Sequence, residues 1–287
     1  IPKRDWSSDV CSSDLIAGGE SSYFVSLHRN KRGMVLDLKS AQGKEVFFKL
    51  VEKSDVVIEN YRVGALKRLG IDYAQAKKRN KGIIYCSISG FGQSGPYNER
   101  AALDLILQSE SGMVSVTGDE GSSGTRAGVS IADMTAGLYA AYAVMLALRM
   151  KEKTGEGQEI DISMMEGQLA LLSTMISAYC TDGKVPRPTG NTYAALVPYQ
   201  TFKTKTRDLA IAVAGDKLWR KLCPVIGRPE WADDARYARA MDRNKNRAEL
   251  LPKLQEIFLT RPYEEWEPLL RSEEHTSEFQ SRFGISY

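Results

Sequence analysis

Between residues 33 and 89, three short runs rich in branched side chains, GMVLDL (33–38), DVVIE (55–59) and GIIYCSIS (82–89), alternate with two stretches of helical period. The first stretch, 41–53, sets Val46, Phe47, Leu50 and Val51 on one face; the second carries Leu66, Leu69 and Ala74. Short apolar runs with little polar alternation suit strands covered on both faces. Strands that alternate with helices through short connections pair in parallel. The pattern therefore predicts an α/β fold with an open parallel sheet. On such sheets ligands sit beyond the carboxyl ends of the strands. Asn60, Tyr61 and the segment 89–96 occupy those ends.

The pattern then changes. Residues 101–112 predict a helix, 117–128 a polar glycine-rich loop, and 131–150 a helix dense in Ala, Leu, Met and Tyr. The uncharged part of that helix, 134–148, falls short of the roughly 18 residues a bilayer span needs, so a buried helix and no membrane contact are expected. A strand at 158–162 and an apolar helix at 164–180 follow. Two prolines and a glycine in 184–192 suggest a crossing into a second unit. That unit reads as a β-hairpin (199–204 and 209–214) with helices at 216–226, 231–238 and 244–259. The large domain is placed at 16–183, and the linker with a small α+β domain at 184–270.

Both ends are set aside. Residues 5–15 (DWSSDVCSSDL) reproduce one reading frame of a common sequencing-library adapter, and 271–281 (RSEEHTSEFQS) reproduce the complementary adapter with Phe279 in place of Leu. Each end is polar and lacks a helix or strand period. Residues 1–15 and 271–287 are read as translated artificial DNA. Of the 39 basic and 36 acidic residues, 16–270 keeps 35 and 30, a net charge of +5. That is too weak a field to suggest nucleic acid. The remaining Cys86, Cys180, Cys223 and His28 form no CxxC or Cys/His cluster, so no metal is expected. A reducing compartment follows, cytoplasmic or, in a eukaryote, the mitochondrial matrix. The natural protein is expected to extend past both ends, and this chain alone to be poorly soluble and inactive.

Several features could carry chemistry. Residues 90–95 match the dinucleotide pattern GxGxxG, but Pro96 and a polar run follow where a helix should open. The loop reads as a turn or as a ligand-lining segment rather than an NAD site. Asp133 stands where a helix begins. There it suits an N-cap, and equally a nucleophilic carboxylate favoured by the helix macrodipole. The basic run at 28–32 is a solvated loop or an anion-binding edge. His28 has no GxSxG elbow to serve, and the three cysteines read as packing.

Taken in order, the strings RNKRGMVLDLKSAQGKE (29–45), DVVIENYRVGALKRLG (55–70), IYCSISGFGQSGP (84–96), GVSIADMTAGLYA (128–140), TGEGQEIDISMME (154–166) and VPYQTFKTK (197–205) resemble the class III CoA-transferases. That family includes formyl-CoA:oxalate, carnitine and succinyl-CoA:glutarate CoA-transferases and the α-methylacyl-CoA racemases. The resemblance implies an open Rossmann-like large domain, a smaller domain, and two subunits interlocked as rings. It implies that Asp133 is the nucleophile, forming a mixed anhydride and then an aspartyl-CoA thioester. Coenzyme A enters as a thioester substrate, not as a bound cofactor. Its contacts would fall on Leu36, Asp37, Leu38 and Lys39, on Asn60, Tyr61 and Arg62, on Arg68, and on Arg100, Ala101, Ala102 and Leu103. Lys39, Arg62 and Arg68 suit phosphates, and Tyr61 could stack on adenine.

Departures from the family pattern narrow the choice. The racemases carry a His thirty residues before the nucleophile, followed by an acidic residue; here Leu103 stands there, followed by Asp104. Racemisation needs a second acid/base for the α-proton, which Leu103 cannot be. The formyl-CoA enzyme has a run of glycines where 190–196 has only Gly190. VPYQTFKTK is most similar to the glutarate and succinate enzymes. A CoA-transferase for dicarboxylates is therefore expected, with a racemase-like enzyme and a non-catalytic CoA-binding subunit as the alternatives.

Overall fold

The computed structural model describes residues 16, 17 and 20–271. The two ends set aside above lie outside the described residues, apart from Arg271. A short pair, β1 (Ile16–Ala17) and β2 (Glu20–Ser21), leads into α1 (Ser22–Leu27). No strand forms at 33–38, which corrects the expectation. A strand exists only through its partner, and no described segment runs a ladder beside this one. Met34 and Val35 are 61% and 71% exposed. The segment instead turns into α2 (Ala41–Val51), where the Gly43 N–H donates to Ser40 Oγ at 3.0 Å as an N-cap. A Cβ on Gly43 would lie 1.8 Å from the Asp37 carbonyl oxygen, so only glycine lets residue 37 fold back over this first turn.

The sheet follows the predicted order. β3 (Val56–Glu59) leads through α3 (Ala65–Leu69) and α4 (Tyr73–Arg79) to β4 (Ile84–Ser89). The single helix expected around 66–74 divides at Gly70, a left-handed cap with φ +73°. After α5 (Asp104–Glu110), α6 (Met113–Val116) and α7 (Ile131–Thr154) comes β5 (Glu159–Ser163). The strands run parallel in the order β3-β4-β5, with Val56 opposite Ile84 and Tyr85 opposite Glu159.

Alternation along β4 sorts its side chains between two layers. Ile83 and Tyr85 pack with Val51, Leu66, Ile71 and Ala76 of the α2–α4 layer. Ile84 and Cys86 pack with Ala140 and Ala147 of α7 and Ile160 of β5. β3, read as buried, is a sheet edge, and its Ile58 is 60% exposed. α7 is 24 residues long. Among the described residues it is the one helix long and apolar enough, by length and composition only, to cross a membrane. In this fold it packs on β4, β5 and α8 (Met164–Leu171). It is buried on one face only: small residues (Ala132, Ala136, Ala140, Ala147) line the inside, while Leu138, Tyr142, Met145 and Leu146 face out.

The expected helix at 164–180 is two, α8 and α9 (Ser173–Asp182). β6 (Tyr199–Lys203) and β7 (Asp208–Ala212) form the antiparallel hairpin, followed by α10 (Asp216–Val225). The helix expected at 231–238 is absent. A 3-10 turn, Pro229–Ala232, stands there, and the Arg236 N–H donates to Asp234 Oδ1 at 2.9 Å, a local bond that competes with helix. α11 (Ala240–Lys245), α12 (Arg247–Phe258) and the unanticipated α13 (Tyr263–Arg271) complete the chain. Phe202, Trp219, Tyr237, Leu254, Phe258 and Trp266 form one core from these last elements.

Candidate functional site

Asp133 is the third residue of α7, not its N-cap. Ser130 holds the cap position and makes no side-chain capping bond. The missing acceptor comes from another helix: the Ala132 N–H donates to Asp104 Oδ1 at 2.8 Å. Gln108, one turn along α5, donates from Nε2 to Asp104 Oδ2 at 2.6 Å. Its Oε1 accepts from the Ala127 N–H at 2.8 Å. Asp133 itself is exposed. Partial enclosure of its carboxylate, and then the Asp104 charge, raise its pKa above the ordinary aspartate value. This is a solvent-reachable carboxylate with raised basicity in the first turn of a long helix, the setting a covalent nucleophile needs.

The carboxyl end of β4 lies against the segment that leads to Asp104. A Cβ on Gly90 would fall 2.2 Å from the Ala102 Cβ, so glycine is what lets the two backbones meet. Ala102 belongs to the same cluster as Leu107, Ala132 and Met164. Strand end, Ala102–Leu103 and the start of α7 therefore share one corner. The Asn60 Nδ2 donates to the Ile88 carbonyl at 2.7 Å and ties the end of β3 into it. The GxGxxG loop is fastened from below: the Met165 N–H donates to the Gly90 carbonyl and the Gln93 N–H to Asp161 Oδ2, at 2.9 and 2.8 Å. The next helix along the chain begins only at Asp104, so the loop does not run directly into a helix as a dinucleotide fingerprint does. Ser89 Oγ and Gln93 Nε2 are buried there without a partner among the described residues.

The remaining candidates lie before α2, after β3, on α3 and before α5. Leu38 packs with Leu66 and Val57 in the α2–α3 layer. Asp37 Oδ1 accepts from the Lys39 N–H at 2.9 Å, and Leu36 is half-buried above them. Lys39, Tyr61, Arg62 and Arg68 are exposed, and Lys39, Arg62 and Arg68 form no ion pair among the described residues. Arg100 is committed differently: it pairs with Glu110 and lies over the rings of Tyr97 and Phe91, 4.7 and 5.0 Å from their centroids. Ala101 and Leu103 are exposed. His28 stacks on Phe24 at 4.0 Å and hydrogen-bonds its carbonyl through Nδ1.

Burial pushes the Cys86 thiol up to about 11 and the Cys223 thiol up to about 12, which suits packing and not catalysis. Cys180, read as packing, is exposed. No cluster of three or more His, Cys, Asp or Glu that could hold a metal occurs among the described residues. Sequence reasoning missed Gln108 and Asp161 as site-building residues, and saw Asp104 only as the neighbour of Leu103. The four-residue spacing of Asp104 and Gln108 on a predicted helix was the available signal.

The model of CoA-transferase family III matches residues 2–279, a range that enters both ends set aside above. The chain belongs to CoA-transferase family III. Acetyl-CoA:oxalate CoA-transferase of Acetobacter aceti is 36% identical over 250 residues, 87% of this chain and 64% of that protein. Succinate–glutarate CoA-transferase of Agrobacterium fabrum is 38% identical over 237 residues, 82% and 59%. The chain thus spans less than two thirds of the length of either of these family III members. The crystal structure of a CaiB/BaiF family protein from Brucella suis superposes with a TM-score of 0.77 at 35% identity, covering 90% of this chain and 69% of that one. The α/β architecture read from the alternating runs is therefore the architecture of family III.

Proposed function

We propose that the protein carrying this chain moves coenzyme A between carboxylic acids, with Asp133 as the nucleophile. The position of Asp133 carries the reading: an exposed carboxylate of raised basicity, next to a strand end lined with glycine. Asp133 attacks the acyl carbon of the donor thioester, the C–S bond breaks, and the CoA thiolate leaves a mixed anhydride. The thiolate attacks the Asp133 carbonyl and expels the donor acid, giving an aspartyl thioester. The acceptor carboxylate attacks that carbonyl and releases the thiolate. The thiolate takes the acyl group from the new anhydride and leaves Asp133 free. Electrons and protons balance without an external acid or base.

Dicarboxylates are the proposed substrates. The name of the Agrobacterium relative and the likeness of VPYQTFKTK to the glutarate and succinate enzymes support this, while exposed Lys39, Arg62 and Arg68 suit the phosphates of coenzyme A. The interlocked pair of subunits belongs to the same proposal, and the uncovered apolar face of α7 supports it. Incubation with succinyl-CoA and hydroxylamine should convert Asp133 to its hydroxamate, located by peptide mass, and Asp133→Ala should abolish transfer. Transfer by Asp133→Ala would refute the reading. Deuterium uptake at the acyl α-carbon would point instead to a racemase, and CoA binding without turnover to a non-catalytic subunit.

A further inference from the structure

We propose that Asp104 and Gln108 are positioning residues: together they clamp the backbone on the approach to Asp133 and so set the direction in which its side chain enters the site. This rests on the reading of Asp133 as the nucleophile. Four hydrogen-bonding groups carry the clamp, in one fixed polarity. The Ala132 and Ala127 N–H groups are both donors, so the two side chains must accept at their outer ends and supply one donor between them. Asp104 accepts twice, from the Ala132 N–H at 2.8 Å and from Gln108 Nε2 at 2.6 Å. Gln108 turns its other end, Oε1, to the Ala127 N–H at 2.8 Å.

The clamp grips the chain at two points, where the 117–128 loop ends and where α7 begins. Gln108 is completely buried, so water cannot stand in for its partners. Ser130, the residue placed to cap the helix, does not use its side chain. Without the clamp, nothing among the described side chains caps this turn. The Asp104 carboxylate also stands close enough to be the charge that, after enclosure, most raises the basicity of Asp133.

The polarity makes the test specific. In Asp104→Asn the new amide faces the Gln108 amide, donor to donor. In Gln108→Glu two carboxylates face each other. The double variant Asp104→Asn/Gln108→Glu restores these three bonds and gives up only the long one, 3.5 Å, from Gln108 Nε2 to the Val129 carbonyl. Its amide at position 104 accepts from the Ala132 N–H and donates to the carboxylate at position 108, which accepts in turn from the Ala127 N–H. Amide hydrogen exchange over 127–133, and kcat and KM for succinyl-CoA, are measured in the full-length protein. Each single variant should speed exchange at Ala127 and Ala132 and lower kcat about 10- to 100-fold with little change in KM. The double variant should regain protection and most of kcat.

Unchanged kcat in both single variants would overturn the clamp, as would a double variant no better than the singles. Protection regained without turnover would assign the effect to the charge at 104 and overturn the positioning role. Failure of the nucleophile reading is separable: Asp133→Ala would then transfer CoA in the same assay while the exchange pattern of the 104 and 108 variants still reported the clamp. That outcome removes the positioning role along with the nucleophile.

Discussion

Asp133 holds its proton to higher pH than an ordinary aspartate because enclosure disfavours its charge and Asp104 repels it. Two consequences follow with opposite benefit. The nucleophile proposed above needs the ionised form, so the acid limb of the transfer rate should lie above the usual carboxylate range of about 3.9, which a pH–rate profile reads. Stability runs the other way. Above the unfolded pKa the folded chain binds more protons than the unfolded one, so this group costs stability as pH rises through that window. Asp133→Asn should therefore raise the unfolding free energy at neutral pH slightly, by about 0.5 kcal/mol or less because the side chain is exposed, read by urea unfolding. Gly90 gives a sharper test of local geometry. Gly90→Ala should cost about 1–3 kcal/mol through its collision with Ala102, and Ala102→Gly in the same chain should recover most of it, measured by urea unfolding.

At the scale of elements, the sequence is most legible where a run specifies its own environment. β4 is legible because Ile84, Tyr85, Cys86 and Ile88 make it mostly apolar and it is enclosed on both sides, and the hairpin because two runs flank a polar turn. Residues 33–38 have the same composition, but a strand depends on a neighbour that a local pattern does not contain. The start of α7 can be read from the sequence while its cap cannot. Asp133 has a good capping side chain, yet the acceptor comes from Asp104, a relation that no local propensity encodes. Helix α13 carries Tyr263, Trp266 and Leu270 on one face, but the pattern runs into the segment set aside and is too short to stand out. α2, by contrast, is capped from within: Ser40→Ala should lower stability by about 1 kcal/mol, visible as a lower thermal midpoint.

Across the whole molecule, two kinds of packing coexist. The core of the later elements closes around an arginine. Arg243 is fully buried, donates to the carbonyls of Val197 and Tyr237 at 2.8 and 2.9 Å, and meets Asp216 Oδ1 at 3.1 Å. Asp216→Ala should destabilise this core by about 3 kcal/mol or more, since it leaves a buried guanidinium without its counter-charge; tryptophan fluorescence from Trp219 in urea would report it. The sheet portion is covered less completely. Leu138, Tyr142, Met145 and Leu146 form an apolar stripe along α7, and the chain should bind a hydrophobic dye that Leu138→Gln/Leu146→Gln releases. The cross-helix cap also orders events in time. The middle of α7 can coil on its own, but its first turn gains an acceptor only after a helix 28 residues upstream has docked. The Asp133 carboxylate is thus placed late in folding. Loss of Asp104 should quicken unfolding more than it slows refolding, so a half-folded chain carries a carboxylate that is not yet aimed.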